Sequence, residues 1–150
     1  MNQGLIVSFG ATICAVATAT SAAAHTPVAL DSAVFVERLQ GDNSRSLEPA
    51  NRLARGDRVV TILNWRRLGS SDAGRGGSFT LVNPLPRAIA YQASANDSEE
   101  VSVDGGRTWG KLGNLHYGQR LATPEDVTHV RWRVTANKAS GQIAYSGIVR

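Results

Sequence analysis

Three imidazoles and one thiol are the chain's strongest candidate ligands and nucleophiles: His25, His116, His129 and Cys14. If the first 24 residues are removed by cleavage after Ala24, the new terminus is His25, whose free amine and ring could grip Cu(II) as a histidine brace. His116 or His129 would supply the second ring nitrogen, a donor set that suits Cu(II). The only methionine is Met1, so the remainder would have no thioether for Cu(I). The sequence is therefore read as having no metal site and no cofactor, with copper binding at His25, His116 and His129 kept as the alternative. Cys14 falls inside the removable segment, which leaves no thiol for a disulfide, a thiolate metal site or a cysteine nucleophile.

Other catalytic signatures are missing. The serines have no Gly-x-Ser-x-Gly elbow, the glycines at 74–77 lead into a strand pattern and not into a helix, and no carboxylate pair can be placed at a defined separation. These observations predict a protein that is not an enzyme. The most distinctive run, Ser102-Val103-Asp104-Gly105-Gly106-Arg107-Thr108-Trp109, resembles the Asp-box hairpin of sialidases and related propellers. Asp104 is expected to accept hydrogen bonds from the turn's amides, with Gly105 and Gly106 permitting positive φ. Thr108 completes the motif, and Trp109 folds back as a plug under the hairpin. One such box implies a hairpin; a propeller needs several blades, for which 150 residues are too few.

The elements that must position these residues read as strands. From residue 33 onward apolar side chains recur every second position, in short runs broken by Gly, Pro, Asn and Asp. Strands are expected at 34–39, 58–66, 78–82, 88–93, 100–103, 108–112, 128–134 and 142–149. Val130, Trp132 and Val134 share one face against His129, Arg131 and Arg133. Ile143 and Tyr145 share a face with Gly147 and Val149. Those apolar rows are the expected core. Residues 58–66 are apolar on both faces, as in a central strand. Asn83-Pro84-Leu85-Pro86 should end its ladder and turn the chain. Residues 124–127 offer a single helical turn, and 69–77 a Gly/Ser-rich loop. The class is all-β, an immunoglobulin-like antiparallel sandwich.

Residues 1–24 carry no charged side chain, have an apolar centre and end in Ala22-Ala23-Ala24. They read as a signal peptide, giving a domain over 25–150 that is exported to the periplasm or cell surface, with no stable membrane span once the signal is removed. Ile13 before Cys14 argues against lipidation. All sixteen Lys and Arg lie after residue 24, fourteen of them Arg, and the pI near 9.8 suits anionic glycans, lipopolysaccharide or a membrane face. Dispersal of the basic residues, the lack of stacking aromatics and export itself argue against nucleic acid.

A wider resemblance rests on Val-Phe-Val-Glu-Arg (34–38), Leu-Glu-Pro (47–49), Arg-Gly-Asp-Arg-Val-Val (55–60), Asn-Pro-Leu-Pro (83–86), Ser-Val-Asp-Gly-Gly-Arg-Thr-Trp-Gly (102–110), Asp-Val-Thr-His-Val-Arg-Trp (126–132) and Gly-Ile-Val-Arg (147–150). Together these resemble the exported "conserved repeat domain" family, a domain of unknown function from bacterial envelope proteins. The resemblance implies an immunoglobulin-like structural or adhesive module with no catalytic residues. It departs after the central strand, where the family reads Asn-Thr-Gly and here Asn64 is followed by Trp65-Arg66-Arg67 and a Gly/Ser loop. Expected partners are envelope or surface proteins, or a second copy, recruited through sheet edges at residues 34–39 and 142–149. Arg55-Gly56-Asp57 reads as turn chemistry before a strand.

Overall fold

The computed structural model describes residues 28–68, 78–96, 98–135 and 137–150. The expected signal peptide, His25 and the loop at 69–77 lie outside the described residues. Among them the strands run β1 Val28–Leu39, β2 Arg45–Pro49, β3 Arg58–Arg67, β4 Ser78–Pro84, β5 Ile89–Ser94, β6 Glu99–Ser102, β7 His116–Tyr117, β8 Arg120–Leu121, β9 His129–Thr135 and β10 Ser140–Val149. Short 3₁₀ turns occupy Leu112–Asn114 and Pro124–Asp126, the second where one helical turn is expected.

Every pairing is antiparallel. One sheet has the order β2-β1-β3-β10-β5, a second has β4-β9-β6, and β7-β8 form a small separate hairpin. The two larger sheets face each other as a sandwich because each strand has one apolar row that leaves water only against the other sheet. Val130 and Trp132 of β9 have no exposed surface, and Ile143 and Tyr145 of β10 are buried opposite them. Val134 packs at the margin of the same cluster. Each fully buried apolar side chain of this kind contributes about 1.5–3 kcal/mol.

Three contacts show which strands oppose one another. Trp65 of β3 meets Phe79 of β4 edge-on at 5.2 Å. Trp132 of β9 lies 5.9 Å from the Tyr145 ring of β10, and Tyr91 of β5 donates a hydrogen bond to Glu99 of β6. Buried polar atoms are satisfied across the same gap: Trp132 Nε1 donates to Ser94 Oγ at 3.0 Å, and Asn83 Nδ2 donates to Tyr145 Oη at 2.9 Å. Burial, together with the hydrogen bond to Glu99, holds the Tyr91 hydroxyl far above the ordinary phenol range.

Five strands face three, so β1 and β2 overhang the smaller sheet. Leu30 and Val34 pair with Trp65 and Thr61, both buried, and therefore share their inward face. They are nevertheless 42% and 41% exposed.

Several expectations are corrected. Residues 142–149 are not an edge, since β10 lies between β3 and β5, and β1 is flanked by both β2, which pairs with residues 35–39, and β3, which pairs with residues 28–36. The outer strands of the two sheets are β2, β5, β4 and β6. Residues 108–112 form no strand beyond the single bridge of Gly110 with Val101, because the preceding turn consumes its amides locally. The ladder of β4 reaches Pro84, opposite His129, which an outer strand allows because the missing amide faces away from its partner. Leu85 then hydrogen-bonds to Thr128 and the chain crosses to the other sheet.

Candidate functional site

The Asp-box run folds onto the outer face of the β4-β9-β6 sheet. Ser102, fully buried, donates from Oγ to Asp104 Oδ1 at 2.8 Å and accepts from the Gly106 amide at 2.9 Å. Asp104 Oδ1 also accepts from the amides of Arg107 (3.0 Å) and Thr108 (2.9 Å), and Oδ2 accepts from Thr108 Oγ1 at 2.7 Å. The Thr108 amide and hydroxyl, followed by the Ser102 hydroxyl, hold the Asp104 carboxyl far below the usual carboxylate range. Gly105 and Gly106 take φ of 78° and 89°, which a side chain would strain. Thr128 anchors the turn to the sheet: its Oγ1 accepts from the Gly105 amide at 3.1 Å and donates to the Ser102 carbonyl at 3.1 Å.

Trp109 folds back as the motif predicts, donating from Nε1 to the Gly106 carbonyl at 2.9 Å. It covers the polar side of β9, however, and not the core between the sheets. The Arg131 guanidinium lies 4.6 Å from its ring centroid, and His129 meets it edge-on at 6.4 Å. His129 Nδ1 sits 3.0 Å from Thr128 Oγ1. His116 is exposed in β7, paired with Leu121 in the separate hairpin. Among the described residues no group of three or more His, Cys, Asp or Glu side chains is placed to hold a metal ion.

Compared with family models, curated proteins and solved structures, the chain matches none.

Beside Trp109 the outer face opens into a groove of about 420 Å³ lined by Thr80, Ser98, Glu100, Arg131 and Arg133. The register explains its composition, since Arg131 stands between Val82 and Glu100 and Arg133 lies opposite Thr80. Glu100 Oε2 takes both Nε (2.8 Å) and Nη2 (2.7 Å) of Arg131, fixing that guanidinium over the indole. A second cavity of about 250 Å³ shares Ser98 and Arg133 and adds Asn96, Lys138, Trp65 and Gln142. The polar side chains among them are hydroxyls and amides, three cations (Arg131, Arg133 and Lys138) and one carboxylate, Glu100, already engaged by Arg131.

Sequence reasoning identified the hairpin residues but passed over this groove. The available signal was the polar row of β9, His129, Arg131 and Arg133, which is what remains once Val130, Trp132 and Val134 are assigned to the core. Which acid and which hydroxyls face that row depends on β4 and β6 pairing, which periodicity does not supply.

Proposed function

We propose that this protein is a non-enzymatic structural and interaction module of the bacterial envelope or cell surface, exported by the signal at residues 1–24, which holds a partner protein by accepting one of its extended segments. The observation that carries the reading is the overhang. The outer strand β4, Ser-Phe-Thr-Leu-Val-Asn-Pro, has no charged side chain, and the layer beyond it is roofed by β1, where Leu30 and Val34 stay exposed. A free edge supplies amides and carbonyls for a new strand, and the apolar roof supplies burial for its alternate side chains.

A second copy is the poorer fit for this edge. Antiparallel pairing of two β4 strands about a twofold would drive the partner's β3 into the layer that β1 already fills. A lone strand with apolar residues at every second position meets no such obstacle.

The test is photo-crosslinking in intact cells from a reactive side chain placed at Leu30 or Val34, with exposed Gln92 on β5 as control. Adducts to another envelope protein at the two β1 positions, in several-fold excess over Gln92 and lost when Val34→Glu is added to the Leu30 probe, are expected. Equal labelling at all three positions would overturn the reading.

A further inference from the structure

We infer that the groove on the β4-β9-β6 sheet and the neighbouring cavity with which it shares Ser98 and Arg133 form a binding site for an anionic saccharide, one bearing carboxylate or sulfate groups, centred on Arg133 and Lys138. The site goes beyond strand acceptance and is lined by neither Leu30 nor Val34.

The argument begins with charge. Among the described residues, Arg131, Arg133 and Lys138 line the two cavities, which share Ser98 and Arg133, against one acid, Glu100. Glu100 is already committed to Arg131 by contacts of 2.7 and 2.8 Å. Neither Arg133 nor Lys138 forms an ion pair with a described residue. Two cations without an acid partner among the described residues, sharing one concavity, give a positive field that a ligand with anionic groups neutralises.

The neutral lining narrows the ligand class. Thr80, Ser98, Asn96, Thr135 and Gln142 ring the cations with hydroxyl and amide groups, the complement of a polyol. Ser98 is held in place, since its amide and hydroxyl both donate to Asn96 Oδ1 (2.9 and 2.8 Å). Arg131 is locked between Glu100 and Trp109 and sets the shape of the floor, while Arg133 is the guanidinium free to engage a ligand oxygen.

Isothermal titration with three hexasaccharides separates the outcomes: a sulfated glucosamine–uronate, an oligogalacturonate carrying carboxylates alone, and neutral maltohexaose. Binding of at least one acidic sugar is expected, weakening as salt rises. Arg133→Gln and Lys138→Gln should each reduce its affinity about tenfold, the loss of one charge-assisted contact. Arg133→Lys should retain part of the affinity. Arg52→Gln, in an exposed loop away from the groove, should change it less than about twofold. A loss from Arg52→Gln equal to that from Arg133→Gln would reduce the effect to net charge and overturn the site. So would equal binding of maltohexaose, equal affinity for inorganic sulfate, or no heat with any acidic sugar. Val34→Glu leaves this groove untouched, so failure of the saccharide site and failure of strand acceptance are read on separate variants.

Discussion

Asp104 accepts four hydrogen bonds from three residues of its own hairpin, and this concentration of donors on one carboxylate is what makes the turn. Its folded-state proton affinity is depressed, as is that of Asp126, which Arg120 grips through both terminal nitrogens at 2.6 and 2.8 Å. A carboxyl whose folded affinity lies below its unfolded value stabilises the native state above the unfolded pKa, near 4, and loses that contribution as pH falls toward the folded value. Thermal melts should therefore show Tm flat at neutral pH and dropping below about pH 4. Asp104→Asn should melt lower at pH 7 and lose less between pH 5 and pH 2.5. A variant with the wild-type acid slope would place the acid sensitivity elsewhere. This motif was legible in the sequence because it is local, with its donors and acceptor within seven residues. The Glu100–Arg131 pair, separated by thirty-one positions, had no such local signature.

Gly147 is the residue on which the large sheet's last pairing turns. The register of β10 with β5 shifts between Ser146 and Gly147, and a Cβ there would meet Ile89 Cγ2 and stand 2.8 Å from the Ala90 carbonyl oxygen. Backbone cannot yield as a side-chain tip can, so Gly147→Ala should destabilise by about 1–3 kcal/mol. In urea this reads as a lower midpoint at unchanged m. An unchanged midpoint would mean that the bulge tolerates a side chain. The strands with buried rows, β3, β9 and β10, were legible from alternation alone. β2 was not: four of its five residues are exposed, including Leu47, and it contains two charges and a proline. The first half of β1 was hidden for a related reason, because its inward row at Leu30 and Val34 has no sheet opposite it to enforce a clean alternation. β7 and β8, two exposed residues each, offer no periodicity to read.

Across the whole molecule, the antiparallel sandwich followed from the spacing of apolar residues, while strand order did not. Alternation says which face of a strand is buried; it is silent on neighbours. That silence is why residues 142–149 looked like an available edge when their place is at the centre. It also matters for the order in which the chain can assemble. β10 comes last in chain order among the described strands, and it seats between β3 and β5, with Gly56 and Asp57 also hydrogen-bonding to Val149. Until residues 140–149 are available, β3 and β5 have no common neighbour and the larger sheet is split in two. A chain ending at residue 139 should lack near-ultraviolet tryptophan structure and cooperative melting, whereas a folded truncate would show that the other strands suffice. A polypeptide emerging from a ribosome or a narrow pore would accordingly leave the larger sheet incomplete until residues 140–149 have emerged, then close it in one event governed by long-range contacts.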